Sequence, residues 1–500
     1  MGFFGFSAGI PILLIFSSLS LWLREAGVDR SAVTFFSWAA LGYSFKFVWA
    51  PLVDQMPLPL LTRRLGRRRA WIVASQAAII AAIGWMAMID PASGGAQLNF
   101  MAMAAVFLGF SSATQDIAID AYRIESAGEE LQAMMASAYI AGYRIGMITA
   151  GAGALFLADV FGSSKLVYNY SAWQATYWIM ACFMIVGMAT ALVIREPDTG
   201  EREVLLQRPG AHGRSFFLFL VAAGGFVCWF YLTREGVPWL KSFLGQWTGQ
   251  GHLAGFTVEA FRLAGGIVTA LGLARAMVAL GVVDREMVRT SYVEPVSDFF
   301  SRYGISLAWL LLALIGLYRI SDIVLGVISN LFYQDLGFSK TQIASVVKTF
   351  GLLMTIAGGF LGGFLSLRFG VMPILFTGAL LSSLTNLLFV AMARTGPDLA
   401  MLYLVISADN LAGGLASAAF VAFLSSLTNI RFTAIQYAVF SSLMTLVPKV
   451  FSGYSGTIVD STGYSAFFML TAALGLPVLV LVALSGRFLK KEKGKDRLQN

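Results

Sequence analysis

Apolar runs of about 20 residues recur from one end of this 500-residue chain to the other, and that recurrence leaves few folds open. A run of that length crosses the hydrocarbon of a bilayer as one helix, with its backbone N–H and C=O groups satisfied inside the segment. One water-soluble core cannot absorb so many: the chain is 58% hydrophobic and 12% charged, about half the charge of an ordinary soluble domain. The expected class is an all-α membrane protein, and a soluble enzyme is excluded. Cys182 and Cys228 lie inside apolar stretches, and only His212 and His252 accompany them. That is too little for a disulfide scaffold, a cysteine metal site or most zinc chemistry, so no metal and no cofactor is expected.

Breaks carrying charge, proline or glycine divide the runs into spans near 3–23, 33–53, 70–89, 99–122, 133–158 and 172–194. Two more follow near 215–233 and 257–283, after a polar stretch at 195–214 and before an amphipathic charged stretch at 284–303. Six others lie near 306–333, 341–367, 371–393, 398–424, 433–457 and 464–487. The pattern is six, two, six, or 14 spans. It sets an N-terminal six-helix half at 1–195, a linker with two extra helices and an amphipathic segment at 196–305, a C-terminal half at 306–487 and a basic tail at 488–500. With the N-terminus inside, the inner segments hold 21 Lys and Arg and the outer loops seven. Short cytoplasmic loops retain basic residues, so both termini are expected to be cytoplasmic. This distribution accounts for the formal charge of +8 without nucleic acid. The first span has no basic leader or small-residue cleavage site, and is expected to be a retained helix.

The two six-span blocks repeat a feature. In the first, Asp54 ends the second span and the next loop closes on Arg63, Arg64, Gly66, Arg67, Arg68 and Arg69; in the second, Gly362-Gly363 through Arg368-Phe369-Gly370 holds the same place. This arrangement resembles the major facilitator superfamily, whose aspartate and loop arginines lock the cytoplasmic side of one state. The second block has Ser366 where that motif has its aspartate, which makes the expected lock one-sided. The resemblance narrows at Phe45-Lys46-Phe47-Val48-Trp49-Ala50-Pro51, Thr114-Gln115-Asp116-Ile117-Ala118-Ile119-Asp120-Ala121-Tyr122 and Gly142-Tyr143-Arg144-Ile145-Gly146, and again at Asp409-Asn410-Leu411-Ala412-Gly413-Gly414. These are similar to the AmpG-type anhydromuropeptide permeases, and more distantly to the acetyl-CoA transporters. Members carry two helices between their halves and import disaccharide-peptide fragments of the bacterial wall across the inner membrane for recycling.

Charged side chains at membrane depth cost about 2.5–3.5 kcal/mol each on insertion scales, so those retained should face a cavity or a partner. Asp116 and Asp120 are four apart, hence on one face of a helix, with Arg123 a turn later. Two such carboxylates rarely both stay ionised in a desolvated site, which makes them the candidates for proton coupling: Asp116 as carrier and Asp120 as its modulator. Alternatively, Asp120 simply pairs with Arg123 or Arg144. Lys46 and Arg144 either bind an anionic group of the substrate or neutralise the two aspartates. Arg319 and Asp322 are expected to form an internal ion pair, and Lys348, Asp409 and Lys449 complete the charged set. Glu259, Arg262 and Arg275, on the inserted pair, are expected to be structural or lipid-facing. Tyr43, Trp49, Tyr122, Tyr139, Tyr143 and Tyr318 are candidates for stacking on sugar rings, whereas Trp22, Trp239 and Trp247 suit interfacial belts. The pairs Gly358-Gly359 and Gly362-Gly363, and the series Gly142, Gly146, Gly151 and Gly153, suit close helix packing.

No nucleotide-binding loop is present, so transport should draw on a gradient; one proton descending 100 mV supplies about 2.3 kcal/mol, roughly fiftyfold accumulation. The expectation is therefore a proton-coupled importer of GlcNAc-anhydroMurNAc peptides in the bacterial inner membrane. Its partners are that substrate, protons and membrane lipids, and it functions as a monomer. The alternatives are a carrier for another bulky anionic metabolite, such as a CoA ester or a nucleotide-linked sugar, and a membrane-embedded enzyme of wall or lipid precursors.

Overall fold

Every regular element among the described residues is a helix, as a chain whose backbone polar groups must be satisfied without water requires. The computed structural model describes residues 1–28, 43, 45–164, 167–197, 211–248, 251–339, 342–452 and 455–499. Among them, 12 helices are long and apolar enough to cross a membrane, or 13 if the bent pair Phe216–Leu232 and Val237–Trp247 is one span. Most of the expected second span, residues 33–42 and 44, lies outside the described residues, as do 198–210 of the first linker.

The chain divides into two compact units, one of Met1–Val53, Leu58–Gly200 and Phe299–Asn500, the other of Asp54–Pro57 and Glu201–Asp298. In the first unit lie α1 (Gly2–Glu25), α2 (Arg67–Ala87), α3 (Gly95–Glu125), α4 (Glu129–Val160) and α5 (Tyr170–Val193). The second unit contributes α6 (Ala211–Leu232), α7 (Val237–Thr248) and α8 (Gly251–Ala279). Then come α9 (Glu294–Leu317), kinked at Gly304, α10 (Ile320–Asp335), α11 (Ile343–Phe369), α12 (Val371–Thr395), α13 (Leu399–Leu427), α14 (Thr433–Ser452) and α15 (Ser455–Gln499), kinked at Gly463.

The first unit has two hydrophobic cores. One draws on residues 10–184, with Trp22, Trp173 and Tyr177 at its centre. The other draws on 299–482, with Phe332, Phe389, Phe420 and Phe468, and Ile124 of the first half reaches into it. Helices pack where glycine removes the side chain. A Cβ on Gly5 or Gly9 of α1 would stand 2.0 or 2.1 Å from the carbonyl oxygen of Tyr139 or Tyr143; one on Gly142 or Gly146 of α4 would stand 1.9 or 2.1 Å from that of Gly2 or Phe6. In the second half, Gly358 of α11 and Gly414 of α13 make the same demand on each other's helices, 2.2 Å from the carbonyls of Leu411 and Thr355. Gly370, at φ 86°, links α11 to α12 as a single residue in the left-handed region.

Four expectations change. The stretch after 233 contains α7, whose exposed face carries Trp239, Phe243 and Trp247. The span expected at 306–333 breaks between Leu317 and Ile320. There the Tyr318 hydroxyl donates to Leu375 O at 2.9 Å and Ser321 Oγ to Thr471 O at 2.7 Å, fixing both flanks to neighbouring helices. Trp22, assigned to an interfacial belt, is fully buried: its ring stacks on Trp173 at 5.6 Å and its Nε1 donates to Tyr168 at 3.3 Å. The Tyr168 hydroxyl in turn donates to Asp90 at 2.6 Å, and burial together with that carboxylate pushes its pKa up. The backbone of the basic tail continues α15 as far as Gln499.

In the second unit, Glu259 of α8 sits between Lys241 at 2.8 Å and Arg262 at 3.0 Å. Arg262 also donates to Phe230 O at 2.8 Å, so this charged pair ties α8 to α6 and α7.

Candidate functional site

The site is built around α3, where a four-residue spacing puts two carboxylates on the face turned into the first unit. Lys46, in a single turn at Lys46–Val48, lies with its Nζ 3.7 Å from Asp120 Oδ2. Arg123, a turn further along α3, holds the other oxygen: its Nη2 is 3.6 Å from Asp120 Oδ1. Asp120 is thus committed on both sides. Asp116 is not: the Tyr139 hydroxyl is 3.4 Å from its Oδ1, Lys46 and Asp120 lie within electrostatic reach, and among the described residues no cation lies within 4.0 Å of it. Both aspartates, and Tyr139 and Tyr143 beside them, retain partial solvent access inside the protein, as a cavity lining does.

Across from them, Arg319 Nη2 pairs with Asp322 Oδ2 at 3.7 Å, and Asp322 interacts with Asp409, which accepts from Thr385 at 3.5 Å. Arg144 of α4 feels the like charge of Arg319, and the Met147 sulfur lies 4.0 Å from its Nη1. Lys46, Asp116 and Asp120 thus form one charged cluster in the first half, and Arg319, Asp322 and Asp409 another in the second. Lys348 is exposed, donating to Asn330 at 3.0 Å, and Lys449 is exposed near the end of α14.

The aromatic candidates divide. Tyr139 and Tyr143, with ring centroids 6.1 Å apart, face the carboxylates. Tyr43 donates to Ser112 at 2.6 Å and buried Trp49 to Thr114 at 3.1 Å, lining α3. Tyr122 is spent on Arg195 O at 2.9 Å, and Tyr318 is buried face to face with Phe420 at 4.3 Å; both serve packing.

The arginine loop is a clamp within the first half. Arg68 is buried and makes a two-pronged bond to Glu125, at 2.6 and 3.0 Å, while Arg67 lies 3.8 Å from the same carboxylate. Glu196 accepts the backbone N–H groups of Arg68 at 2.6 Å and Arg69 at 3.0 Å, capping α2, and the Arg69 side chain reaches the last carbonyls of α5. Arg63 and Arg64 are exposed, and Asp54 is buried.

The link between the halves is made by a residue that the spacing suggested only as a partner for Asp120. Fully buried Arg123 donates from Nη1 to Gln132 at 2.9 Å and to Ser425 of α13 at 2.8 Å, and lies over the Tyr437 ring of α14 at 5.2 Å. Ser137 Oγ adds a 2.6 Å bond to Gly359 O of α11. Glu125 was legible in principle: a carboxylate at a helix C-terminus opposes the helix dipole and needs a cation nearby. Ser425 and Tyr437 lie in segments that share the family resemblance, but nothing in their own sequence context points to Arg123.

A family described as acetyl-coenzyme A transporter 1 matches residues 3–194. Over nearly its whole length the chain is similar to proteins named as AmpG-type transporters. It is 29% identical to "Putative transporter AmpG 4" of Rickettsia felis, over 96% of this chain and 94% of that protein. It is 28% identical to the "Anhydromuropeptide permease" of Escherichia coli K12, over 98% of this chain and 80% of that protein. Among solved structures, the proton:xylose symporter XylE superposes with a TM-score of 0.59 at 12% identity, covering 96% of this chain and 93% of that one. FucP in its outward conformation gives 0.57 at 11% identity, covering 97% of each. The fold is that of the major facilitator transporters.

Proposed function

We propose that this multi-pass inner-membrane transporter imports anhydromuropeptides, GlcNAc-anhydroMurNAc peptides released from the bacterial wall, and couples each cycle to proton entry. The observation that carries the coupling is the contrast on α3: Asp120 is held between Lys46 and Arg123, while Asp116 has a tyrosine hydroxyl and no close cation. A desolvated carboxylate without an ion pair is the group best placed to take a proton from one side and release it to the other. The substrate class rests on the names of the full-length relatives, with support from an interior that combines tyrosines with cations, suited to sugar rings and peptide carboxylates.

In this reading the halves rock about the interior, and the Arg123 contacts hold the cytoplasmic side shut while substrate enters from outside. A carrier for a CoA ester is the second reading, favoured by the family match over residues 3–194. The test is uptake of the labelled disaccharide peptide into proteoliposomes, with and without an imposed inward proton gradient, against acetyl-CoA as competitor. Concentrative uptake that collapses with an uncoupler is the expected result. Uptake only to equilibrium removes the coupling, and acetyl-CoA uptake without muropeptide uptake replaces the substrate.

A further inference from the structure

We infer that α7 is an interfacial helix: it lies along the bilayer surface and inserts Trp239, Phe243 and Trp247 among the lipid chains just beneath the head groups. Its length argues first. α7 has 12 residues, about 18 Å, and is bent 65° from α6, so it advances only about 8 Å along the α6 axis. A crossing of about 30 Å gains little from that, and α6, with 22 residues or about 33 Å, is long enough without it. The turn between the two helices marks the level. Arg234 and Glu235 are exposed there, and the Arg234 guanidinium lies 4.1 Å from the centre of the Tyr231 ring, a cation and an aromatic ring of the kind the head-group layer accepts.

Around its axis α7 carries three lanes, because residues three and four apart share a face. Leu240, Lys241, Leu244 and Gly245 are half-buried against the protein, and Lys241 Nζ lies 2.8 Å from Glu259 Oε1 of α8, which fixes the rotation of the helix. Ser242 and Gln246 form an exposed polar lane. Beside it Trp239, Phe243 and Trp247 are 69%, 55% and 81% exposed, with the first two rings stacked 5.7 Å apart. Three large rings held outward next to a polar lane match a helix with hydrocarbon on one side and water on the other. Lipid reaches both ends of α7 already. Short connections join it to α6 and α8, whose exposed Val227, Leu232, Phe261 and Val268 call for the bilayer as their surroundings.

This inference goes beyond the importer reading and does not depend on it. The test uses the full-length protein in phospholipid bilayers, with Cys182 and Cys228 replaced and a nitroxide spin label on Phe243→Cys or on Gln246→Cys. Both side chains are exposed, so neither exchange opens a cavity, and Trp247→Cys repeats the first measurement one turn on if Phe243→Cys does not fold. Collision of the label with oxygen, which concentrates in lipid, and with a water-soluble nickel chelate reports its depth. The label at 243 should lie about 5–10 Å below the head groups, and the label at 246 should stay open to the chelate. Equal chelate access at both positions overturns the inference by placing α7 in water. Depths near the bilayer centre at both positions overturn it by making α7 part of a span. A label at 243 closed to oxygen and chelate alike overturns it too, because protein rather than lipid then covers the aromatic lane.

Discussion

Asp116 and Asp120 are identical side chains one helical turn apart, and what separates them is the partners that other segments bring. The turn at Lys46–Val48 places an ammonium on one oxygen of Asp120, and Arg123 takes the other. Asp116→Asn keeps the shape of its side chain and its contact with Tyr139, so the expected outcome is a folded protein that exchanges substrate across the bilayer yet fails to accumulate it against a gradient. Counterflow and gradient-driven uptake in the same proteoliposomes check this, and retained accumulation removes Asp116 from the coupling. The spacing of the pair was legible in the sequence, because four residues on a helix always share a face. Which aspartate is clamped was not, since Lys46 lies 74 positions before Asp120 and nothing in its own neighbourhood says where it points.

Helix pairs hold the two halves in shape, and their tightest contacts are backbone on backbone. A methyl group on Gly142 would meet the carbonyl of Gly2 at 1.9 Å, and backbone cannot swing aside as a side chain can. Gly142→Ala should therefore cost about 2–4 kcal/mol, seen as a lower melting temperature in detergent. Gly413→Ala is the control: nothing lies within 4 Å of the added carbon, so melting should be unchanged or slightly raised. Glycine spacing foretold close packing on α4 and α11, but not the partners, α1 and α13, because spacing describes one surface of an interface. The start of α2 gives a second element-scale prediction. Glu196→Ala removes the acceptor for two backbone N–H groups and a negative charge at a helix N-terminus, a loss of about 1–2 kcal/mol. An unchanged melting temperature would leave the clamp without energetic weight.

At the scale of the whole molecule, the sequence carried the repeat through its hydropathy and its paired glycine-arginine loops, whereas the closure between halves depends on side chains more than 300 positions apart. Arg123 makes that closure, through Ser425 and Tyr437, and it shares Asp120 with Lys46, so the carboxylate cluster and the junction of the halves meet at one guanidinium. A hydrogen bond to a charged group contributes about 1.5–3 kcal/mol and a desolvated cation–π contact up to about 2 kcal/mol, whereas 1.4 kcal/mol already shifts a two-state equilibrium tenfold. Removing the guanidinium should release the halves at this end. With Cys182 and Cys228 replaced, a cysteine introduced at Ala133, buried where α4 meets Gly363 of α11, reports the opening through its rate of labelling by a thiol reagent. Arg123→Ala should raise that rate at least about tenfold, and Ser425→Ala, which removes one contact of several, by less. Equal rates in all three proteins would mean that the bond between Ser137 and Gly359, with the packing of α4 on α11, holds the halves together without Arg123.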